Sequence, residues 1–579
     1  MRKISLFIAV LISFSFIIHF SSMINDFKKG EQTCICAYDG FGYYMYLPSL
    51  FENKTLNIDK EWAQAVQNEY CNNTETYQLI LQPNGNHIDL YHIGLSYLQL
   101  PSYSISHFYA KAFGYKTDGF SLPFTVGFLL NALLFCLIGI IYLRKLLLLF
   151  FNDTTTSLVL VLLYASTNTF ITFTIQKDLP HLYIFALNSV FLYHLILFIR
   201  SKEKKHLLIS ALIFGITVAI RPTQALLGLI PLILLWKQKS NYKSLFTQVL
   251  CYPIFALLWN LPQIAYWYFI GGKLFMPNLH TEEIIIIDPN LIDFLFSFRK
   301  GWLIYSPVFI LSFIGFSALY KRNKNTFWAL FASTSLYILI MSSWECWWYA
   351  SSYGSRAMTD IYPFLIIPIA FLWESLNNKY TKSLFLLFSL LFLSLNIFQS
   401  YQFKKGLIHP NRMSKEQYFY IFGKTSLEGM NSDRLLINRG NKNWINSIKN
   451  TGLYEIDKRT ILFKKKTVGA NIKKIILLDK VKSDETLIEV SFDIKFISKK
   501  IDPIYLKIET CSRFNCYDWQ SIEISRDTTV NHYQKVIYRF NLPDIRHRKD
   551  KLQTYITNTE EVEFEIKNFK IDATTAIRN

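Results

Sequence analysis

From Cys34 to Phe51 the chain reads Cys-Ile-Cys-Ala-Tyr-Asp-Gly-Phe-Gly-Tyr-Tyr-Met-Tyr-Leu-Pro-Ser-Leu-Phe. Just before it runs an apolar stretch, Ile4 to Met23, long enough to cross a bilayer. Asp39 therefore falls a short way beyond the membrane surface, between an anchor and an aromatic cluster. The glycines beside it, Gly40 and Gly42, allow tight turns and close approach of other groups. Phe41, Tyr43, Tyr44 and Tyr46 suit the headgroup layer, where one end of a ring is dry and the other wet. A carboxylate at that depth can meet both a lipid-borne and a water-borne substrate; it can also be simply the acid of a polar turn.

Outward from this stretch, composition sets the class. Of 579 residues, 51% are hydrophobic and 17% aromatic, too apolar for one soluble core. The chain reads as a polytopic membrane protein. Its net charge of +19 does not imply nucleic acid, because many Lys and Arg lie at the ends of apolar runs, where topology explains them. No small-x-small cleavage site follows the first run, which is kept as an uncleaved anchor. Cys136 and Cys251 fall inside apolar runs; Cys34, Cys36, Cys71, Cys346, Cys511 and Cys516 fall outside, and pairing among the first three is left open.

Apolar runs recur at 4–23, 121–143, 157–175, 180–199, 207–220, 223–236, 245–270, 303–320, 326–342, 358–374 and 383–399. They predict about eleven transmembrane helices. If the spans alternate, Arg2/Lys3, Arg144/Lys145, Arg200 to Lys205, Lys237 to Lys243, Lys321 to Lys324 and Lys379/Lys382 share one side, the cytoplasm. The N-terminus is then inside and the C-terminus in the periplasm of a bacterial inner membrane. Residues 1–400 form the transmembrane domain, with a long first outer loop at 24–120. That loop carries an interfacial helix, His92 to Phe113, anchored by Tyr91, Tyr97, Tyr103, Phe108 and Tyr109. The fifth and sixth runs are short, so their turn at Arg221-Pro222-Thr223 lies below the outer surface. There an arginine is costly unless it faces a polar recess. A short helix at Leu291 to Phe298 and an aromatic loop from Ser342 to Arg356 complete the outer side.

Residues 401–449 read as a linker. Beyond it, alternation at Glu489 to Phe496, Ile504 to Ile508, His532 to Phe540 and Val562 to Ile571 predicts half-buried strands. Residues 450–579 are expected to form an all-β sandwich outside the membrane. Cys511 and Cys516 would close a small loop there, as an oxidising compartment permits. Trp519, Tyr517 and Tyr533 are candidates for stacking on sugar rings, or for the core of the sandwich.

Four motifs share the outer side: Asp39-Gly-Phe-Gly-Tyr-Tyr with Tyr46-Leu-Pro; Lys177-Asp-Leu-Pro-His181; Gly301-Trp-Leu-Ile-Tyr-Ser-Pro307; and Trp347-Trp with Gly354-Ser-Arg356. Over residues 1–410 this layout resembles the GT-C glycosyltransferases. It is most similar to the branch of protein mannosyltransferases, aminoarabinose transferases and lipopolysaccharide galacturonosyltransferases. The resemblance implies transfer of a sugar from a polyprenyl-phosphate donor to a lipid, polysaccharide or protein acceptor on the outer face. It also implies that Asp178 is a second acid, which binds the acceptor or positions the base. The family's first loop often shows an acid pair or an Arg-Tyr-x-acid run, whereas Asp39 stands alone among aromatics.

The chemistry points the same way. A phosphate-linked sugar carries its own leaving group, so the site needs a base for the acceptor hydroxyl and cations for the phosphate. Asp39 is the candidate base. Asp178 alternatively caps the helix opening at Leu179-Pro180. Arg221 and Arg356 are candidate phosphate clamps, since guanidinium grips phosphate oxygens bidentately. The alternatives are snorkelling for Arg221 and pairing of Arg356 with Glu345 or Asp360. Lys300 is a third cation. His181 can bond sugar or phosphate, or serve the fold; Glu345 can bind substrate or cap its loop; Tyr43 and Tyr44 are candidate substrate contacts. No metal or other cofactor is assigned, since His87, Asp89 and His92 lack a zinc spacing and Cys34-x-Cys36 lacks a second pair. Where family members use a divalent ion, Asp39 and Asp178 would hold it here. The rival class is a transporter or flippase of a lipid-linked saccharide, which predicts internal repeats and midplane polar sites; no repeat is visible.

Overall fold

The computed structural model describes residues 3–71, 74, 76–236, 242–276, 284–426 and 435, and then 448–450, 456–457, 460–463, 474–477, 486–497, 504–511, 516–524, 531–541, 550–557 and 562–576. The chain divides into two compact units, one helical through Asn411 and one β-rich over residues 428–579.

Helix α1 (Lys3–Lys28) is apolar all round. Ala9, Ile12, Phe16, Phe20, Met23 and Phe27 pack inward at helical spacing, while Phe7, Val10, Leu11 and Phe14 stay exposed. A helix apolar on both faces belongs in lipid. The first long loop folds as α2 (Asp39–Phe51), α3 (Lys60–Tyr70), a hairpin of β1 (Leu79–Leu81) and β2 (His87–Asp89), and α4 (Gly94–Phe113). On α4, Ile105, Phe108, Tyr109 and Phe113 are exposed and Tyr103 is buried, the one-sided pattern of an interfacial helix.

The bundle continues with α5 (Leu122–Leu147), α6 (Asp153–Ala165), α7 (Thr169–Ile175), α8 (His181–Ser201) and α9 (Lys204–Ile220). A 3-10 turn, Pro222–Gly228, leads to α10 (Leu229–Trp236) and then α11 (Tyr242–Gly271). The last set is α12 (Leu291–Phe296), α13 (Trp302–Tyr305), α14 (Ile310–Arg322), α15 (Lys324–Ser343), α16 (Tyr362–Ser375) and α17 (Lys379–Lys404).

Every apolar run is helical, yet among the described residues only seven helices have spanning length, or eight if α6 and α7, bent by 55°, count as one. The expectation of about eleven spans is thus corrected. Two of the short segments have a local cause. A residue before proline is pushed out of the helical region. Arg221 before Pro222 is extended (φ −143°, ψ 113°), and Ser306 before Pro307 leaves the helix as well (φ −140°). So α9 stops after 17 residues, or about 26 Å, and the run over 303–320 splits into α13, a 3-10 turn and α14. The protein is nonetheless a multi-pass membrane protein.

Contacts identify the two ends of the bundle. At one, Asp153 opening α6 accepts the N–H of Ile4 at 2.8 Å and the hydroxyl of Ser5 at 2.5 Å. Arg144, in the last turn of α5, donates to the same Ser5 hydroxyl at 2.9 Å, and Arg200 donates to Leu149 O. These are the basic helix ends of the sequence pattern, gathered together. The loops bearing Asp39, Asp178, Arg221 and Arg356 lie at the opposite helix ends and meet there.

In the β-rich unit the strands are β3 (Ile448–Asn450), β4 (Ile456–Asp457), β5 (Ile461–Phe463), β6 (Lys474–Leu477), β7 (Thr486–Phe496), β8 (Tyr505–Cys511), β9 (Cys516–Glu523), β10 (Gln534–Asn541), β11 (Lys551–Thr557) and β12 (Phe564–Ala576). One antiparallel sheet runs β10-β7-β12-β3, with β4 and β5 also on β12; the other runs β6-β11-β8-β9. Alternate residues of β7 (Ile488, Val490, Phe492, Ile494, Phe496) join Leu506, Ile508, Leu552 and Ile556 from the other sheet in one core. The predicted strands are all present. Cys511 and Cys516 form a disulfide, and a second joins Cys34 to Cys71.

Candidate active site

Asp39 opens α2, where the helix dipole favours a negative charge. The residue before it, Tyr38, sits at φ 50°, a left-handed value uncommon for a residue with a Cβ. Its carbonyl is held by Gln78 Nε2 at 2.6 Å. Strain of this kind persists only where surrounding structure enforces it, and here it fixes the entry of Asp39. Both carboxylate oxygens are occupied. Arg356 Nη2 donates to Oδ2 at 2.5 Å, and the Tyr77 hydroxyl donates to Oδ1 at 2.5 Å. Tyr77 in turn contacts the Tyr91 hydroxyl at 3.0 Å. Gly42 is required beneath them, because a Cβ there would strike the Tyr91 ring. Burial works to raise the Asp39 carboxyl, but Arg356 with the Tyr77 and Tyr91 hydroxyls outweighs it and holds the group below the ordinary carboxylate range.

Asp178 stands at the tip between α7 and α8. It packs so closely on Gly40 that a Cβ there would run into its carboxylate, which brings the second acid beside the first. It is not a helix cap: Pro180 occupies the cap position of α8, without a side-chain cap bond. Burial raises the Asp178 carboxyl, and nearby Asp39 adds to this. Lys177 and the backbone N–H groups of Asp178 and Ala37 offset it only in part. Two neighbouring carboxyls are thus pushed apart, Asp39 toward the ionised form and Asp178 toward the protonated one, the arrangement from which acid and base roles are drawn.

The centre of the remaining network is Asp360, fully buried. Its Oδ2 accepts from Arg221 Nη1 and the Tyr337 hydroxyl, each at 2.8 Å, and from Gln224 Nε2 at 3.1 Å. Its Oδ1 meets His181 Nδ1 at 2.8 Å. Arg221 therefore does not merely snorkel, and His181 is part of a charged network. Arg356 pairs with neither Glu345 nor Asp360, as the sequence suggested, but with Asp39. The partner of Asp360 is Arg221. Both arginines thus already have carboxylate partners, and a phosphate would have to compete for them. The sequence held a signal for Asp360 as a centre, an acid two residues into an apolar run.

The other predicted residues divide. Lys300 is buried and donates to Ser352 O; burial first, then the charges of Arg356 and Arg299, push its amine well below the usual lysine value. Glu345 is buried in the loop after α15. That loop also carries Tyr349 and Ser351 at positive φ, and Gly354 at φ 61° leads into Arg356. Tyr43 packs on Tyr91 with ring centroids 4.7 Å apart, at the edge of the site. Tyr44 is a packing residue instead: its hydroxyl donates to Gly119 O at 2.7 Å and its ring meets Phe120 and Phe128.

With both Asp39 oxygens engaged by Arg356 and Tyr77, a divalent ion on the Asp39–Asp178 pair would have to compete with the Arg356 charge. Among the described residues, Glu509, Cys511 and Cys516 form a group close enough to hold a metal. Those cysteines are bonded to each other and offer no thiolates. On the β-rich unit Trp519 is 70% exposed. Tyr533 is covered by Lys567, 3.7 Å from its ring centroid, and hydrogen-bonded to Glu565. The Tyr517 side chain lies outside the described residues.

A helical membrane bundle followed by a β-rich domain is an architecture broadly like that of GT-C membrane enzymes, and it is compatible with a membrane-associated catalytic function. No family model matches this chain, nor does any curated protein.

Proposed function

We propose that this protein is a GT-C-type glycosyltransferase of the bacterial inner membrane. It moves a sugar from a polyprenyl-phosphate donor to a lipid, polysaccharide or protein acceptor on the periplasmic face. The basic helix ends face the cytoplasm, as the positive-inside rule requires. Residues 1–400 are the transferase domain, 24–120 its catalytic outer loop, 401–449 a linker and 450–579 a periplasmic β-sandwich. The observation that carries the reading is the pair of adjoining carboxyls, Asp39 and Asp178, whose surroundings push them in opposite directions, with Arg356 bound to Asp39 and Arg221 held nearby by Asp360.

In this reading Asp39 takes the proton of the acceptor hydroxyl. The acceptor oxygen bonds to the sugar's anomeric carbon, while the bond to phosphate breaks and the phosphate leaves with the electron pair. Asp178, whose carboxyl burial pushes up, binds the acceptor or positions Asp39. The donor phosphate competes with Asp39 for Arg356. As the guanidinium turns toward phosphate, Asp39 loses the partner that holds its pKa down and becomes a stronger base when the donor is in place. Lys300 is a hydrogen-bond donor behind Arg356; Arg221 and His181, fixed by Asp360, Glu345 in the loop after α15, and the Tyr43 ring line the donor side. A reconstituted assay with labelled polyprenyl-phosphate sugars, followed by mass analysis of the acceptor, tests the reading. Absence of transfer from every such donor, with the donor shown to bind, rejects it.

A further inference from the structure

The hairpin that presents Asp178 to Gly40 presents its neighbour Lys177 elsewhere. Lys177 lines a cavity of about 520 Å³ between the last turns of α1, the end of α7 and the loop segment entering the Cys34–Cys71 disulfide. Lys177 is only 8% exposed, and among the described residues its ammonium has neither a hydrogen-bond nor an ion-pair partner. A buried, unpaired ammonium is costly, and an anion relieves the cost. His19 also lines the cavity, its ring 5.7 Å from that of Phe170, and Lys404 of α17 lies over the same Phe170 ring at 5.0 Å. One lysine and an imidazole thus line the recess, and Lys404 lies beyond it on the far side of the Phe170 contact. Acids occur on its wall too: Glu31 is engaged with Lys29 at 3.9 Å, and Asp26 lies outside ion-pair range of Lys177. Ser22 and Thr33 supply hydroxyls. The recess lies at the end of a lipid-exposed helix, at the depth where phospholipid headgroups sit.

We infer that this cavity binds the phosphate group of a membrane lipid through Lys177, next to the Asp39 site and separate from it. The inference stands on the cavity and its cation, and it is independent of the sugar-transfer reading. Two sources share the chemistry, a polyprenyl phosphate and a bulk phospholipid such as phosphatidylglycerol.

The test is native mass spectrometry of the full chain released from detergent, titrated in turn with polyprenyl phosphate, phosphatidylglycerol and uncharged polyprenol. Lys177→Met and Lys177→Arg are measured alongside wild type. A lost charge-assisted hydrogen bond weakens binding roughly tenfold or more. Wild type and Lys177→Arg should retain a phosphate lipid, and Lys177→Met should lose it by that factor. Preference for polyprenyl phosphate over phosphatidylglycerol would assign the site to a carrier lipid, and equal retention to bulk lipid; either supports the inference. Competition by inorganic phosphate at millimolar concentration would show that the headgroup alone is read. Equal retention of polyprenol, or unchanged phosphate-lipid binding by a folded Lys177→Met chain, overturns it. Failure of Lys177→Met to fold leaves the wild-type comparison of phosphate lipid with polyprenol to decide.

Discussion

Asp360→Asn is the sharpest probe of how the site is held. The carboxylate is fully buried and accepts from Arg221, Tyr337, Gln224 and His181. The amide keeps the shape and one acceptor oxygen, but its NH₂ now faces donors, and the Arg221 charge is left uncompensated. Breaking a buried pair by removing one partner costs about 3–5 kcal/mol, because the remaining charge stays desolvated. Removing both partners costs less than the sum of the single losses, since no orphan charge remains. The assay is thermal unfolding in detergent, followed with a thiol-reactive dye that reports exposure of the buried, free Cys136. Asp360→Asn and Arg221→Gln should each lower the melting temperature substantially, and the double variant should recover part of the loss, with a coupling of roughly 2 kcal/mol. A neutral Asp360→Asn, or strict additivity in the double variant, would refute the network as the element that positions Arg221.

Two further outcomes follow from the geometry around Asp39. Because Arg356 holds the carboxyl below its ordinary range, the Asp39 pair contributes stability above the unfolded carboxylate pKa of about 3.9, and that contribution is lost as pH falls through the lowered folded value. In turnover, the acid limb of the kcat/KM profile should therefore lie below the ordinary carboxylate range. Arg356→Gln, which leaves burial unopposed by a charge, should move that limb to higher pH; an unmoved limb removes Asp39 as the titrating base. The Cys34–Cys71 bridge closes 37 residues of chain five positions before Asp39. On chain-entropy grounds its loss costs about 4 kcal/mol. Non-reducing peptide mapping should find Cys34 joined to Cys71 with Cys36 free, and recovery of Cys36 in a bridge would overturn that pairing.

Much of this was legible in the sequence, for physical reasons. Apolar runs marked the bundle helices, though not α2 and α3 of the first outer loop, and strict alternation marked β7, β8, β10 and β12, because each strand buries one face against the core of two sheets. Asp39 stands out by position and Asp178 by the family resemblance, and the fold brings them together through Gly40. The span count failed because apolar composition does not report breaks. The residues before Pro222 and Pro307 leave the helical region, and Asn152 and Asn323 restart helices by capping Thr155 and Thr326. Charge pairing also failed. Neither Arg356–Asp39, separated by 317 positions, nor Arg221–Asp360 has a local signature. Only the isolated acid in an apolar run points to Asp360, and nothing in the sequence separates Arg221 from Arg356 as its partner.

The central claim is that Asp39 is the base. Asp39→Asn keeps the shape and can still accept from Tyr77, but it removes the basic site. In purified, folded enzyme that binds its carrier lipid as wild type does, single-turnover transfer from a labelled polyprenyl-phosphate sugar should fall by ~10²–10⁴-fold, the range for loss of a general base. Transfer at near wild-type rate by the folded variant would contradict the account and shift the role to Asp178.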